Sequence, residues 1–180
     1  MKATATALEG VYLIEPRVFG DERGFFYESF NDEAFRRLTG AQVSFVQDNH
    51  SRSARGVLRG LHYQTAPKAQ GKLVRVTAGA VWDVVLDIRA GSATYGRWIG
   101  EELSAANRRQ LWIPAGLAHG FVTLLDGTEF LYKTTDYWSP PHERCIAWND
   151  PTLAIPWPLD GAPSLSPKDE RGVSFASLAG

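Results

Sequence analysis

Arg55-Gly-Val-Leu-Arg-Gly-Leu-His-Tyr-Gln64 is the first of three stretches that predict the fold of this 180-residue chain. Gly71-Lys-Leu-Val-Arg-Val76 follows it after a short polar spacer. Trp112-Ile-Pro-Ala-Gly-Leu-Ala-His-Gly-Phe121 comes later and supplies a second histidine. Short runs of this kind, interrupted by glycine or proline, are typical of β-strands. The sequence therefore predicts a small β domain in which two histidines and a lysine lie on separate strands.

Similar short runs recur along most of the chain, separated by Gly, Pro, Asn and Asp. Residues 72–77 alternate polar and apolar side chains, so we expect a half-buried strand there. Residues 81–88 alternate less clearly, which predicts burial on both faces. Strands at this spacing indicate an antiparallel sandwich or barrel. The predicted strands cover residues 11–15, 24–30, 43–49, 57–64, 72–78, 80–89, 96–103, 110–113, 118–125 and 129–137.

Two helices are predicted, one near each end of the chain. Asn31 can cap the first, which begins with two acidic residues and ends at Gly40. The second is short, with Ser166 as its cap, a proline in the first position and Gly172 as its terminator. The prolines of residues 150–163 exclude regular structure. We therefore expect this stretch to be a tail that wraps the barrel.

Length and charge limit the classes of protein that this chain can belong to. With 180 residues and a formal net charge of −1, it is expected to form one domain, residues 1–180. The near-zero charge gives no electrostatic reason to expect nucleic acid or an anionic membrane as a partner. Cys145 is alone and has no visible basic neighbour, so it is assigned no disulfide and no catalytic role. No apolar run approaches membrane-spanning length, and we expect a cytoplasmic protein.

Residues 114–119 resemble the second motif of the cupin proteins, whose histidine binds a metal in the metal-dependent members. In those members the first motif adds a His-x-His pair and a glutamate. Here the first motif is His62-Tyr63-Gln64, which lacks the second histidine. Two imidazoles without an obvious carboxylate ligand make a poor metal site. We expect an all-β, cupin-type jelly-roll barrel with short flanking helices, an extended C-terminal tail, and no catalytic metal or cofactor.

A more specific resemblance is carried by segments that run from near the start of the chain to near its end. They are Asp21-Glu-Arg-Gly-Phe25, Gln47-Asp-Asn-His50, Gly56-Val-Leu-Arg-Gly-Leu-His62, Gln70-Gly-Lys-Leu-Val-Arg75, Ile113-Pro-Ala-Gly-Leu-Ala-His-Gly-Phe121, residues 132–137 and Ser166-Pro-Lys-Asp169. In this order and spacing they resemble the dTDP-4-dehydrorhamnose 3,5-epimerase family. The resemblance implies an isomerase that epimerises dTDP-4-dehydro-6-deoxy-D-glucose at C3 and C5, within dTDP-L-rhamnose biosynthesis.

The resemblance also implies which residues are catalytic. A ketone at C4 acidifies the hydrogens on C3 and C5, so a base on one face and an acid on the other can invert each centre. His62 is the implied base, oriented by Asp169, and Tyr132 is the implied acid. Lys72 is implied to stabilise the enolate oxygen, with His119 nearby. Taken singly, each of these residues also fits an ordinary structural role, and alternation alone does not decide which face of its strand Lys72 occupies.

Further polar residues are implied to bind the substrate. Arg23 and Arg59 match positions that contact the diphosphate, where planar guanidinium groups suit paired oxygens. Trp138 stands where the family usually stacks a tyrosine on thymine, and a larger ring can also stack. His50 and His142 are interpreted as loop histidines. The remaining positions that match substrate contacts are Glu28, Gln47, Asn49, Glu143 and Lys168.

The family resemblance implies a homodimer whose N-terminal strands join the partner's sheet, so that Arg23 and Glu28 reach the neighbouring site. An exposed strand edge gives a physical reason for such pairing. Two alternatives stay open. A single-centre 3- or 5-epimerase of a secondary-metabolite pathway would share nearly all these residues, whereas a non-catalytic ligand-binding cupin has no need of the four catalytic residues together. A 3,4-ketoisomerase should differ in its histidines, and a metal-dependent dioxygenase needs the missing His-x-His pair.

Overall fold

The computed structural model of the protein describes residues 1–179, which form two larger antiparallel sheets, a separate hairpin and an α-helix. The strands are β1 Lys2–Ala5, β2 Tyr12–Glu15, β3 Val18–Asp21, β4 Gly24–Tyr27, β5 Gln47–Ser53, β6 Leu58–Gln64, β7 Lys72–Ala78, β8 Ala80–Asp87, β9 Trp98–Ser104, β10 Gln110–Ile113, β11 Leu117–Thr123, β12 Thr128–Thr134 and β13 Glu143–Cys145. Helix α1 spans Asp32–Thr39, and short 3-10 helices span Pro140–His142, Asp169–Arg171 and Phe175–Ala179. Among residues 1–179, no helix is long and apolar enough to cross a membrane.

The hydrophobic core lies between the two larger sheets. The six-stranded sheet has the order β1-β2-β10-β7-β12-β5, and the five-stranded sheet has the order β13-β6-β11-β8-β9. Side chains from both sheets meet in one buried cluster, which includes Val74 and Phe130 from the first and Val85 and Phe121 from the second. The rings of Phe121 and Phe130 stack with their centroids 4.1 Å apart. The prediction of an all-β fold is confirmed.

Helix α1 covers the outer face of the six-stranded sheet. Asn31 caps the helix, because its side-chain oxygen accepts a hydrogen bond from the Ala34 backbone N–H at 2.9 Å. Gly40 ends the helix in the left-handed conformation that favours glycine. Phe35 is buried against the sheet, with its ring centroid 5.1 Å from that of Trp112. The predicted limits of this helix are confirmed.

Strand β7 is buried on its inner face and only partly covered on its outer face. Val74 points into the core between the sheets, whereas Leu73 packs outward in a cluster with Phe35 and Trp112. Further along the outer face, Arg75 is partly exposed and Thr77 is exposed, in agreement with the expected half-buried strand. The two-residue period of a strand places Lys72 on the same inner face as Val74. This decides the orientation that the sequence left open.

The C-terminal tail covers the outer face of the five-stranded sheet. Residues 150–163 contain neither helix nor strand, as their prolines predicted. Leu153 and Phe175 join Leu61 and Val84 in a buried cluster. Trp98 Nε1 donates a hydrogen bond to the backbone oxygen of Leu153 at 2.9 Å. Because the tail covers this face, strand β8 is buried on both sides, as its weak alternation predicted.

Other predicted boundaries are wrong in detail. Strand β5 begins four residues later than the predicted strand 43–49, so His50 lies in a strand and not in a loop; its Nε2 is 3.2 Å from the Glu129 carboxylate. The helix predicted for residues 166–172 is reduced to a 3-10 turn that Gly172 ends. Strands β1, β3 and β13 have no predicted counterpart. They are only three or four residues long, and pairing with distant segments defines them.

Candidate active site

A polar cavity of about 360 Å³ opens between the two sheets. Strands β5, β7 and β12 form one wall, and strands β6 and β11 form the other. The segment that follows β12 and the C-terminal tail close its rim. The structure brings together most of the predicted site residues along this cavity: Gln47, Asn49, Arg59, His62, Lys72, His119, Tyr132, Trp138, Glu143 and Lys168.

Two glycines allow the histidine-bearing strands to approach closely. His119 on β11 is the register partner of His62 on β6. Gly60 lies two residues before His62, and Gly120 directly follows His119. A Cβ atom on Gly60 would lie 2.5 Å from the Cα of Gly120, a separation that real side chains do not reach. Gly60 also has φ of 122°, which a residue with a side chain rarely adopts. The sequence motif Arg-Gly-Leu-His on β6 therefore positions its histidine through backbone contact.

His62 and Asp169 form a close pair at the edge of the cavity. His62 Nε2 lies 2.6 Å from Asp169 Oδ1, although the ring N–H does not point directly at that oxygen. Asp169 also accepts hydrogen bonds from the Gly60 N–H at 3.0 Å and the Ser166 hydroxyl at 2.5 Å. Burial raises the pKa of Asp169, but His62 and these two donors outweigh it and hold the pKa well below its usual range. Asp169 is a fixed anion.

This environment keeps His62 in the form that a base requires. Burial lowers the pKa of His62, the positive charges of Lys168 and Lys72 lower it further, and Asp169 opposes them only in part. The imidazole is therefore neutral at neutral pH. With its Nε2–H beside Asp169, Nδ1 is left as the nitrogen that can accept a proton.

Lys72 is buried in the cavity wall, with 7% of its surface exposed. Its Nζ donates a hydrogen bond to the backbone oxygen of His62 at 3.2 Å, which ties the two sheets together beside the base. Burial lowers the pKa of Lys72 to about 8, against the attraction of Asp83 and Glu143. The ammonium group remains mostly charged at neutral pH. It can stabilise a negative oxygen without being neutralised by a counterion in direct contact.

Sequence reasoning missed Asp83, the partner of the second histidine. His119 Nε2 lies 2.9 Å from Asp83 Oδ2, and Asp83 is fully buried in strand β8. Burial raises the pKa of Asp83, while His119 and Lys72 act in the opposite direction. The sequence motifs implied a carboxylate partner for His62 but none for His119. The available signal was an aspartate inside a run that was already predicted to be buried on both faces, because a buried charge requires a partner.

Tyr132 faces the cavity from the wall opposite His62. It lies on β12, between Asn49 of β5 and Val74 of β7. Burial raises the pKa of the Tyr132 phenol, Glu143 raises it further, and Arg59 acts against them. The phenol therefore holds its proton at neutral pH. A neutral base on one wall and a protonated acid on the other suit proton transfer to opposite faces of a ligand between them.

Polar side chains at the mouth of the cavity hold one another in place. The Gln47 amide oxygen accepts a hydrogen bond from the Trp138 backbone N–H at 3.0 Å, and its amide nitrogen donates to Asn49 at 3.0 Å. Lys168 Nζ lies 2.8 Å from Glu143. Trp138 itself is more than half exposed, so one ring face is free to stack. Lining residues that were not predicted are Ser51, Tyr63, Gln64, Gln70, Phe121 and Phe130.

Two predicted binding residues lie away from this cavity. Arg23 sits at the turn of the exposed β3–β4 hairpin, where it pairs with Asp21 at 2.5 Å. Glu28 accepts a hydrogen bond from the Asn31 side chain at 3.3 Å. Within the described part of one chain, neither lines the cavity. Their predicted role, which is to reach the site of a partner subunit, stays a prediction.

These features define a class of protein. The two facing sheets, the neutral base, the opposed phenol and the buried ammonium group are those of a cupin-type isomerase that moves protons next to a carbonyl group. The sequence profile of the dTDP-4-dehydrorhamnose 3,5-epimerase family matches residues 5–177, and the chain belongs to that family. The predictions of an isomerase and of a cupin-type jelly roll are confirmed.

Individual relatives share this fold over almost their whole length. The dTDP-4-dehydrorhamnose 3,5-epimerase of Pseudomonas aeruginosa is 66% identical over 176 residues, which cover 98% of this chain and 97% of the relative. The crystal structure of a dTDP-6-deoxy-D-glucose-3,5-epimerase from Legionella pneumophila, in complex with dTDP-4-keto-L-rhamnose, has a TM-score of 0.93 and 51% identity, covering 98% of this chain and 96% of that one. A 3'-monoepimerase from Streptomyces bikiniensis, in complex with dTDP-quinovose, has a TM-score of 0.92 and 36% identity, covering 97% and 88%.

Proposed function

We propose that the protein epimerises dTDP-4-dehydro-6-deoxy-D-glucose at C3 and C5 to dTDP-4-dehydro-L-rhamnose, in dTDP-L-rhamnose biosynthesis. The observation that carries the proposal is the placement of His62 and Tyr132 on opposite walls of one cavity, with Lys72 between the sheets. The identity of 66% with the 3,5-epimerase of Pseudomonas aeruginosa supports the reaction at two centres.

His62 acts as the base in each half of the reaction. It removes the proton from C3 or C5, and the electron pair of the broken C–H bond moves through the ring carbon to the C4 oxygen, forming an enolate. Asp169 stabilises the imidazolium that results. The Lys72 ammonium stabilises the enolate oxygen, and His119 lies beside the same region. General base catalysis of this kind contributes roughly 10²–10⁴-fold to a rate.

Tyr132 completes the inversion. As the enolate collapses, the phenol gives its proton to the carbon on the face opposite His62, so the configuration changes. The proton on His62 then passes to solvent, and the tyrosinate takes one up. No electrons enter or leave, and the substrate and product have the same atoms. The reaction requires two such cycles, one at each carbon.

Cations and the exposed indole bind the nucleotide end. Arg59 and Lys168 line the cavity and can neutralise a diphosphate, for which Arg59 offers a planar pair of donors. Trp138 stacks on the thymine base from the rim. Gln47, Asn49 and Glu143 supply hydrogen-bonding groups between these two regions and the catalytic residues.

The active unit in this proposal is a homodimer with shared sites. Phe25 and Phe26 on the β3–β4 hairpin are 61% and 71% exposed, which is unusual for adjacent aromatic residues and favours burial against a partner. Strand β1 forms a free edge of the six-stranded sheet, where a strand of another subunit can add. Such pairing would carry Arg23 to the partner's cavity, where it contacts the diphosphate, and would place Glu28 beside it.

Mixed dimers test the shared site. In a hybrid dimer, one subunit carries Arg23→Ala and the other carries His62→Asn. If Arg23 serves the partner's site, one of the two sites combines an unchanged His62 with an unchanged Arg23 and is intact. If Arg23 serves its own subunit's site, both sites of the hybrid are damaged. Coexpression should then restore roughly one quarter of wild-type activity, because half the dimers are hybrid. Light scattering checks that the protein is dimeric. A monomer with full activity, or no restoration in the mixture, would contradict the proposal.

A cytoplasmic location is also proposed, because the substrate is a nucleotide sugar and Cys145 is a free thiol. Cell fractionation with antibody detection measures this. Recovery of the active protein with the periplasmic fraction would overturn it.

Deuterium incorporation tests the reaction. The protein is incubated with dTDP-4-keto-6-deoxy-D-glucose in deuterated water, and NMR locates the label. Deuterium at both C3 and C5, with formation of the L-rhamno product, is the expected result. Label at only one carbon would favour the single-centre alternative, which the likeness to the Streptomyces bikiniensis 3'-monoepimerase keeps open. No label, with the substrate bound to folded protein, would leave a ligand-binding cupin and refute the catalytic roles.

A further inference from the structure

Three side chains of types that bind metal ions lie close together, and one of them is the proposed base. His62 comes from β6, Cys145 from β13 and Asp169 from the C-terminal tail, and each offers a ligand atom within 4.8 Å of the other two. Cys145 is the register partner of His62 across the β13–β6 ladder, which fixes the thiol beside the imidazole. The earlier assignment of Cys145 as a residue without a basic neighbour is therefore wrong.

The geometry of these three side chains is close to that of a metal site. Ligand atoms on a tetrahedral zinc ion lie roughly 3.3–3.8 Å apart, because zinc–ligand distances are about 2.0–2.3 Å. In this structure the His62 and Asp169 atoms are 2.6 Å apart and all three ligand atoms lie within 4.8 Å of one another, so small side-chain movements must adjust these separations when an ion binds. His62 Nε2 is buried and lies 2.6 Å from Asp169 Oδ1, so a bound ion would take the place of the proton between these two atoms.

The carboxylate of this cluster is already held in a fixed position. The Gly60 N–H and the Ser166 hydroxyl both donate to Asp169, on different oxygens. Groups that hydrogen-bond to a ligating side chain orient it and raise metal affinity. Because His62 also lines the cavity, an ion can enter from the substrate side, and a fourth ligand position is left for water.

We propose that His62, Cys145 and Asp169 bind one thiophilic divalent cation, Zn²⁺ being the model case, and that the bound ion reversibly switches the enzyme off. A nitrogen, a sulfur and an oxygen ligand together select Zn²⁺, Cd²⁺ or Co²⁺ over Mg²⁺, which prefers oxygen alone. When the ion binds, the Cys145 thiol loses its proton to solvent and the metal–sulfur bond forms. The His62 Nε2 proton also leaves, Nδ1 takes up a proton from solvent, and the ring binds the ion through Nε2 as the neutral Nδ1–H tautomer. No oxidation or reduction occurs.

The inhibitory half of the inference rests on the proposed role of His62 as the base. An imidazole that donates its lone pair to a metal cannot accept a proton from the substrate. The binding half does not depend on that role. The two halves are therefore measured separately, by spectroscopy and by activity.

Cobalt provides the direct test of binding. The full-length protein is stripped of metal with a chelator and titrated with Co²⁺, whose bond to a thiolate gives a charge-transfer band in the near ultraviolet. We expect the band to saturate at one equivalent, to disappear when Zn²⁺ is added, and to be absent in Cys145→Ser. Lack of the band in wild-type protein, or the same band in Cys145→Ser, would refute the site.

Inhibition by metal-buffered Zn²⁺ tests the consequence. Cys145→Ser and Cys145→Ala should keep turnover without metal within about twofold of wild type and should need at least about tenfold more free Zn²⁺ for half-inhibition. His50→Asn is the matched control, since it removes an exposed histidine elsewhere and should leave the sensitivity unchanged. Chelator should restore activity fully, and Mg²⁺ should have no effect.

The outcomes separate this inference from the proposed reaction. Equal Zn²⁺ sensitivity of wild type and both Cys145 variants would refute the inhibitory site while leaving catalysis untouched. A cobalt band at one equivalent with undiminished turnover would refute inhibition and also the role of His62 as base. Normal turnover of His62→Asn would refute the base assignment alone, and the cobalt titration of wild-type protein would still decide the metal site.

Discussion

The two histidines of the cavity lie on neighbouring strands, and each has an aspartate partner in different surroundings. His62 faces the cavity with about a fifth of its side chain exposed, whereas His119 is almost fully buried. Asp169, the partner of His62, receives hydrogen bonds from Gly60 and Ser166. Asp83, the partner of His119, has one carboxylate oxygen without any hydrogen-bond donor in the described structure.

This difference changes the electrostatics of the two carboxylates. Both are buried, and burial alone raises a carboxyl pKa. Donors to Asp169 reverse that effect and hold its pKa low, whereas the pKa of Asp83 stays raised despite His119 and Lys72. In the His62–Asp169 pair, the carboxylate is therefore firmly ionised beside the proposed base. In the His119–Asp83 pair, the carboxylate ionises less readily, and it orients His119 and raises the pKa of Lys72.

The largest expected effect separates the two histidines. His62→Asn should lower kcat by roughly 10²–10⁴-fold, because the general base is lost. His119→Asn should have a clearly smaller effect, since His119 only assists at the enolate oxygen. Steady-state kinetics and loss of solvent deuterium incorporation at C3 and C5 measure both, with circular dichroism as the folding control. Comparable losses in the two variants would mean that the two pairs share the base function.

The pH profile of the wild-type enzyme is the second prediction. In the proposed mechanism the active form has His62 neutral and Lys72 protonated. Activity should fall as pH decreases through the pKa of His62, which burial places below its ordinary value of 6.5. It should also fall as pH rises through the pKa of Lys72, at about 8. The dependence of kcat/KM on pH reports these groups in the free enzyme. A profile flat from pH 7 to well above 9 would exclude Lys72 as the charged stabiliser.

Asp83→Asn should move the alkaline side of that profile. The negative charge of Asp83 raises the pKa of Lys72, so its removal lets burial lower the pKa further below about 8. The amide oxygen can still accept a hydrogen bond from His119, so the geometry is kept. Activity at pH 8 should fall by roughly fivefold, while activity at pH 6.5 changes less, given a shift of about one pKa unit. An unchanged alkaline limb would show that Asp83 acts on His119 alone.

The smallest expected effect concerns the donors to Asp169. Ser166→Ala removes two hydrogen bonds: the one its hydroxyl donates to the Asp169 carboxylate and the one it accepts from the Asp169 backbone N–H. Loss of the first should raise the pKa of Asp169, and the change should cost about 1–2 kcal/mol of stability. Turnover should fall only a few-fold, because the Gly60 N–H and the His62 contact remain. Thermal unfolding and kcat are measured together, and Ser177→Ala, at an exposed serine near the C-terminus, is the control. A loss as large as that of His62→Asn would mean that Ser166 has a direct role in proton transfer.

Local sequence patterns predicted a large part of this structure. The limits of helix α1 follow from Asn31 and Gly40, and the tail of residues 150–163 follows from its prolines. Family motifs placed His62, Lys72, Tyr132 and their binding partners along one cavity, where the structure also puts them. Failures occurred where strand pairing depends on distant segments. Strand β5 begins four residues later than expected, and His50 lies in it because the strand pairs with β12.

The sequence by itself determined most of the longer strands, the glycine positions and the set of residue types available for proton transfer, since these depend on near neighbours in the chain. Only the tertiary structure decided which charges face each other. Pairing of β8 with β11 puts Asp83 against His119, and pairing of β13 with β6 puts Cys145 beside His62. Burial then sets the pKa values of these groups, because the cost of charge depends on the surrounding solvent and partners and not on the residue alone.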